Sequence, residues 1–202
     1  MNNNENLEEK TVNFRKDLFD WLDVIISSVI AVIIIFSFLF RVATIKGESM
    51  ENTLYNDEKV IISDLFYQPK FGDIVVISRN TSNATENAGN SEPIIKRVIA
   101  TEGQYVDIDF LEGKVYVGYD LANMTLLDEP YIKTPTNNPG NVNFPVYVDE
   151  GHIFVLGDNR NESLDSRFKV IGEEGLIDER YVLGRAIFRI YPFDRIGGFS
   201  KK

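Results

Sequence analysis

The chain has 202 residues, room for about one globular domain, and its 44% hydrophobic and 26% charged residues are those of a protein that buries a core. Twenty-one Lys and Arg against 31 Asp and Glu leave a net charge of −10, which argues against a nucleic-acid binder. There is no cysteine and a single histidine, His152, so disulfide scaffolds, thiolate metal sites, Cys nucleophiles and two-His metal motifs are excluded; no metal and no cofactor is expected.

Residues 1–20 read as a polar tail, and within it 1–12, MNNNENLEEKTV, read as disordered. Val24–Phe40 is an uncharged run of 17 residues without Gly or Pro. As a helix it spans roughly 26 Å, near the lower limit for crossing a bilayer. Trp21 and Leu22 extend it, giving a membrane helix over 21–40. A cleaved signal peptide is the rival, but its apolar core would be shorter and end in small residues, whereas this run ends in Phe40-Arg41-Val42. Charges on either side set orientation only weakly.

Residues 41–202 read as an outer domain of antiparallel β-strands. Short runs rich in β-branched and aromatic residues occur at 60–62, 73–78, 94–100, 105–110, 114–119, 152–156 and 182–191, separated by turn signals such as Phe71-Gly72 and Glu150-Gly151. No long amphipathic helix follows residue 41. The stretches 79–92 and 134–143 read as irregular connections, and the glycosylation triplets at Asn80 and Asn83 carry little weight in so Asn-rich a loop.

Three segments stand out from this background. The first is Gly47-Glu48-Ser49-Met50-Glu51-Asn52-Thr53-Leu54, just beyond the apolar run. Alone, its serine reads as a turn residue. The second is Ile94-Ile95-Lys96-Arg97-Val98-Ile99-Ala100, where strand alternation puts Lys96 on one face with Ile94 and Val98. That is either an edge-strand gatekeeper or a buried lysine, whose desolvated amine is a usable base. The third, 157–167, GDNRNESLDSR, is either a long polar loop or a network of Asp and Arg residues bracing a site.

Together these segments resemble the bacterial type I signal peptidases in their short, Gram-positive-like form: membrane-anchored endopeptidases with a Ser/Lys dyad and a β-sheet catalytic domain of the LexA-like type. GESMENTL at 47–54 is similar to the family's S-M-x-P-T-L box, GDIVVIS at 72–78 to its next strand box, KRVIATEG at 96–103 to K-R-V-I-G-x-x-G, and GDNRNESLDSR to G-D-N-R-x-x-S-x-D-S-R. The resemblance implies Ser49 as nucleophile, Lys96 as general base, Ser163 as a hydroxyl that hydrogen-bonds the lysine, and Asp158, Asp165 and Arg167 as braces. It implies an apolar pocket for Ala-x-Ala-type cleavage sites, with Ile45, Met50, Leu54, Val76 and Ile95 as its lining. It further implies signal peptides of exported precursors as partners, membrane lipid around the anchor, a cytoplasmic N-terminus and an extracytoplasmic catalytic domain in the cell membrane.

Asn52 stands where the family has Pro, Ala100 where it has Gly, and Gly47 where some members carry a hydroxyl for the oxyanion hole. Two other readings remain: a LexA-type self-cleaving Ser/Lys protease, which would need a DNA-binding segment and would not carry the apolar run, and a membrane-tethered binding module, which would leave Lys96 unexplained.

Overall fold

The computed structural model describes residues 3–78 and 92–199, and the chain divides into two compact units, 1–40 and 41–202. Residues 79–91, which hold most of the polar loop and both glycosylation triplets, lie outside the described residues.

The first unit is a helix, α1 (Asn3–Leu39). It corrects the expectation of disorder over 1–12 for residues 3–12, the first two lying outside the described residues: Glu5, Leu7, Glu8 and Lys10 are good helix formers, and a helix nucleated in the apolar stretch extends at little cost. Leu18–Ser37 is long and apolar enough to cross a membrane. Its serines need no outside partner. The Ser28 hydroxyl donates to the Ile25 carbonyl at 2.8 Å and the Ser37 hydroxyl to that of Ile33 at 2.8 Å.

The second unit contains β1 (Arg41–Thr44), β2 (Lys59–Ser63), β3 (Ile74–Ile77), β4 (Ile94–Thr101), β5 (Tyr105–Asp109) and β6 (Lys114–Gly118). There follow β7 (Thr125–Leu126), β8 (Val146–Tyr147), β9 (His152–Leu156), β10 (Ile177–Asp178) and β11 (Val182–Tyr191). All seven expected runs are strands. β1 and the two-residue β7, β8 and β10 lacked a sequence signal of their own. Every pairing is antiparallel, in a seven-stranded sheet of order β1-β2-β11-β3-β4-β9-β10 and a four-stranded sheet of order β7-β6-β5-β8. The C-terminal strand β11 thus lies between two strands from the first half of the chain.

β3 is buried on both faces. Ile74 and Val76 pack with Ile45, Met50, Leu54 and Val60, while Val75 and Ile77 pack with Val98, Ile153 and Val155. A third cluster, including Val106, Val115, Phe154 and Leu156, joins β5 and β6 to β9. The four residues of β3 are 0–6% exposed, so a polar group carried on the neighbouring strand β4 enters an apolar environment.

Candidate active site

The segment after β1 is folded into a tight turn by its own apolar residues. Gly47, at φ 83°, redirects the chain, and its N–H donates to Asn56 Oδ1 at 2.9 Å. Beyond it, Leu54 N–H bonds the Met50 carbonyl at 2.8 Å. Met50 and Leu54 are 1% and 0% exposed and anchor this turn in the core. Ser49, between Glu48 and Met50, stays partly exposed at its tip. Among the described residues the Ser49 N–H has no hydrogen-bond partner.

Lys96 comes from β4, opposite Val75 of β3, and is 3% exposed. Its Nζ is 2.8 Å from Ser49 Oγ and 2.8 Å from the Ile95 carbonyl oxygen. Of the two strand readings, the buried lysine is therefore the one realised. An exposed gatekeeper would have faced water, whereas β4 is an inner strand paired on both sides.

The polar segment 157–167 frames the turn from behind. Asn159 donates from its N–H to the Ser49 carbonyl at 3.0 Å and from Nδ2 to the Glu48 carbonyl at 3.1 Å. Asp158 takes a bidentate pair from Arg97, 2.8 Å from Nε and 2.6 Å from Nη2, and accepts the Thr53 hydroxyl. Burial works against the Arg97 charge, but hydrogen bonding to Asp158 and the charge of that carboxylate outweigh it, so its pKa lies above the ordinary value. The Arg97 guanidinium stacks on the Tyr131 ring at 3.9 Å. Arg167 and Asp165, both fully buried, form a second bidentate pair, and Asp165 accepts the Gly157 N–H at 3.0 Å. The fully buried Arg160 bonds the Gly157 carbonyl, Thr136 and Glu129. Asp158, Asp165 and Arg167 thus sit where braces would. Arg160 belongs to the same frame, as the reading of 157–167 as a network of Asp and Arg expected; Arg97 and Asn159, not singled out from the sequence, join it, and their place inside the Lys96 and 157–167 boxes was the available signal.

Two expectations change. The Ser163 hydroxyl is buried and has no hydrogen-bond partner, so the bond to Lys96 implied by the resemblance is not made. The amine is turned instead toward Ser49 and the Ile95 carbonyl. Ser163 is nevertheless close by: a Cβ built on Gly157 would fall 2.2 Å from Ser163 Oγ and 2.5 Å from the Ser49 carbonyl oxygen. The expected pocket also divides. Ile45, Val76 and Ile95 line a groove of about 430 Å³ between β1 and the start of β4, but Met50 and Leu54 do not reach it, because anchoring the turn takes them into the core below. Arg41, Lys46 and Glu92 rim this groove. His152 lies at the far end of β9. Five residue steps along the strand, roughly 16 Å, separate it from Gly157.

Residues 18–191 match the family model described as signal peptidase, peptidase S26. The chain is 32% identical over 199 residues to signal peptidase I of Bacillus licheniformis, covering 94% of this chain and 97% of the relative. It is 34% identical over 183 residues to a probable signal peptidase I-2 of Synechocystis sp., covering 88% and 76%. It is 31% identical over 195 residues to signal peptidase IB of Staphylococcus aureus, covering 89% and 92%. With a membrane-length helix leading into a β unit, and a serine and a lysine in hydrogen-bond contact, the chain belongs to the signal peptidase family, peptidase S26.

Proposed function

We propose that in this signal peptidase Ser49 is the nucleophile and Lys96 the general base, acting on exported precursors on the outer side of the cell membrane. The observation that carries the reading is the 2.8 Å approach of Lys96 Nζ to Ser49 Oγ from a buried strand. A serine hydroxyl becomes a nucleophile when a base within hydrogen-bond reach takes its proton, and apolar neighbours favour the neutral amine that can do so.

Ser49 Oγ attacks the scissile carbonyl carbon as its proton passes to Lys96. The free Ser49 N–H is available to the developing oxyanion. Collapse breaks the C–N bond; the new amine takes the proton from Lys96 and leaves an ester on Ser49, which water hydrolyses with Lys96 again as base. The unpaired Ser163 hydroxyl beside Gly157 is a positioning group for this centre, and Asp158, Asp165 and Arg167 hold the frame. The precursor lies extended along the groove, pairing through its backbone, with small residues before the cut against Ile45, Val76 and Ile95. The N-terminal tail is cytoplasmic and the β unit extracytoplasmic, where the signal peptide's end emerges.

Incubation of the full chain in detergent with a precursor protein tests this: one cut after a small residue, lost in Ser49→Ala with unchanged circular dichroism. Wild-type cleavage by Ser49→Ala would overturn it.

A further inference from the structure

The last long strand turns an arginine inward. β11 pairs with β2, and Ala186 lies opposite Ile62, Phe188 opposite Ile61 and Arg189 opposite Val60. The register shifts between Ala186 and Phe188, a bulge that moves the side-chain alternation by one residue. Ile62, Val60 and Ala186 all belong to the core cluster that anchors Met50 and Leu54 of the nucleophile turn. The bulge therefore points Phe188, 39% exposed, away from that core and brings Arg189 to the face the core shares.

The Arg189 side chain is 13% exposed, and a charge so placed needs partners. Its Nη1 donates to Glu58 Oε2 at 3.0 Å and to the Thr53 carbonyl at 3.0 Å, and its Nε donates to the Arg195 carbonyl at 2.7 Å. Glu58 is buried and also accepts from Arg195 Nη1 at 2.7 Å. Glu58 stands at the base of the loop that carries the nucleophile. Its carbonyl accepts the Ile45 N–H at 2.8 Å, and the Ile45 carbonyl accepts the Asp57 N–H at 2.9 Å, closing residues 46–56 between them. Within that loop Thr53 is held at both polar ends: its hydroxyl donates to Asp158 and its carbonyl accepts Arg189. The Thr53 N–H in turn bonds the Met50 carbonyl at 3.1 Å, one residue after Ser49.

We propose that Arg189 is a positioning residue of the Ser49–Lys96 centre. Glu58 fixes its guanidinium, and the guanidinium holds the Thr53 carbonyl and with it the turn that presents Ser49 to Lys96. The inference rests on Ser49 as nucleophile and adds that the geometry is set from β11 as well as from 157–167. Precursor cleavage by the full-length protein in detergent tests it. Arg189→Met keeps the aliphatic stem and removes the donors; kcat falls about 10²-fold while KM stays within about threefold, because Arg189 does not line the groove of Ile45, Val76 and Ile95. Arg189→Lys, with one ammonium for either Glu58 or the Thr53 carbonyl, recovers about tenfold of that loss. Val106→Ala, in the cluster joining β5 and β6 to β9, is the stability control: its urea midpoint drops and its kcat stays within about twofold. A kcat of Arg189→Met within about threefold of wild type, or a loss in Val106→Ala as large as that in Arg189→Met, overturns the proposal. A serine-directed acylating reagent, located by peptide mass spectrometry, separates this role from the nucleophile assignment. Wild type is labelled at Ser49, and Arg189→Met is labelled there at least about tenfold more slowly. Equal rates in the two would overturn the role of Arg189 and leave the nucleophile standing; no label at Ser49 of wild type would remove the nucleophile and this inference with it.

Discussion

Lys96 Nζ stands 2.8 Å from Ser49 Oγ, and it reaches there from a strand whose residues Ile95 to Ala100 are all buried. The serine is at a partly exposed tip and the amine behind it is dry, an arrangement suited to proton transfer and not to a surface ion pair.

Lys96→Arg keeps the positive charge but supplies a guanidinium that does not deprotonate. Precursor cleavage is expected to fall at least about 10³-fold with the fold retained by circular dichroism. Cleavage within tenfold of wild type would remove Lys96 from the role of base.

The dependence on pH follows in sign. If Lys96 is the base, it acts only after losing its proton, so kcat/KM is expected to rise with pH along an ascending limb. His152, at the opposite end of β9 with Nδ1 on the Glu150 carbonyl, has no part in it, and His152→Gln leaves the limb in place. A limb centred near ~6.5, the ordinary histidine range, that disappears in His152→Gln would transfer the role to the imidazole.

Gly157→Ala probes the frame. The added methyl would stand 2.2 Å from Ser163 Oγ and 2.5 Å from the Ser49 carbonyl oxygen, distances no real contact tolerates. The expected cost is about 1–3 kcal/mol of stability, read by urea denaturation, and about 10²-fold in kcat from displacement of the nucleophile turn. An unchanged kcat would show that the turn tolerates movement of the 157–163 segment.

Asn52→Pro installs the residue the family favours and is nonetheless expected to damage this protein. Asn52 sits at φ 89°, whereas proline is confined near −65°, and Asn52 Nδ2 donates to the Tyr131 carbonyl at 2.9 Å. A loss of about 3 kcal/mol or more is expected for proline, against about 1 kcal/mol for Asn52→Gly, which keeps the backbone conformation and loses the hydrogen bonding. Thermal melts of the two variants check the order; a proline variant as stable as the glycine one would contradict the backbone argument.

Local pattern revealed the strands whose own residues carry the signal. His152–Leu156 and Val182–Tyr191 are apolar runs bounded by turns, and their limits agree with the structure. β1 carries no such mark, because Arg41 and Thr44 interrupt it and its pairing with β2 is what makes it a strand. Lys96 was conspicuous because a lysine among β-branched residues breaks alternation. Arg97 was not, because a buried arginine is made tolerable by a partner far along the chain, here Asp158; the network reading of 157–167 took in Arg160 but not its distant partners Glu129 and Thr136. For the same reason alternation could not separate Met50 and Leu54, which anchor a turn, from Ile45, Val76 and Ile95, which line a groove.

β11 lies between β2 and β3. Through β1 and β2 it borders the part of the sheet that leads into the Ser49 turn, and through β3 it borders the strand bearing Lys96. During synthesis both reactive residues leave the ribosome long before Val182 does. Until β11 inserts, the two halves of the sheet share no strand, and the Ser49 turn is tied to the strand bearing Lys96 by side-chain and loop contacts, those of Asp158 and Asn159 among them. The order of strands therefore separates synthesis from closure: Ser49 and Lys96 are both made by about the midpoint of the chain, whereas the strand that joins their halves of the sheet edge to edge begins only at Val182.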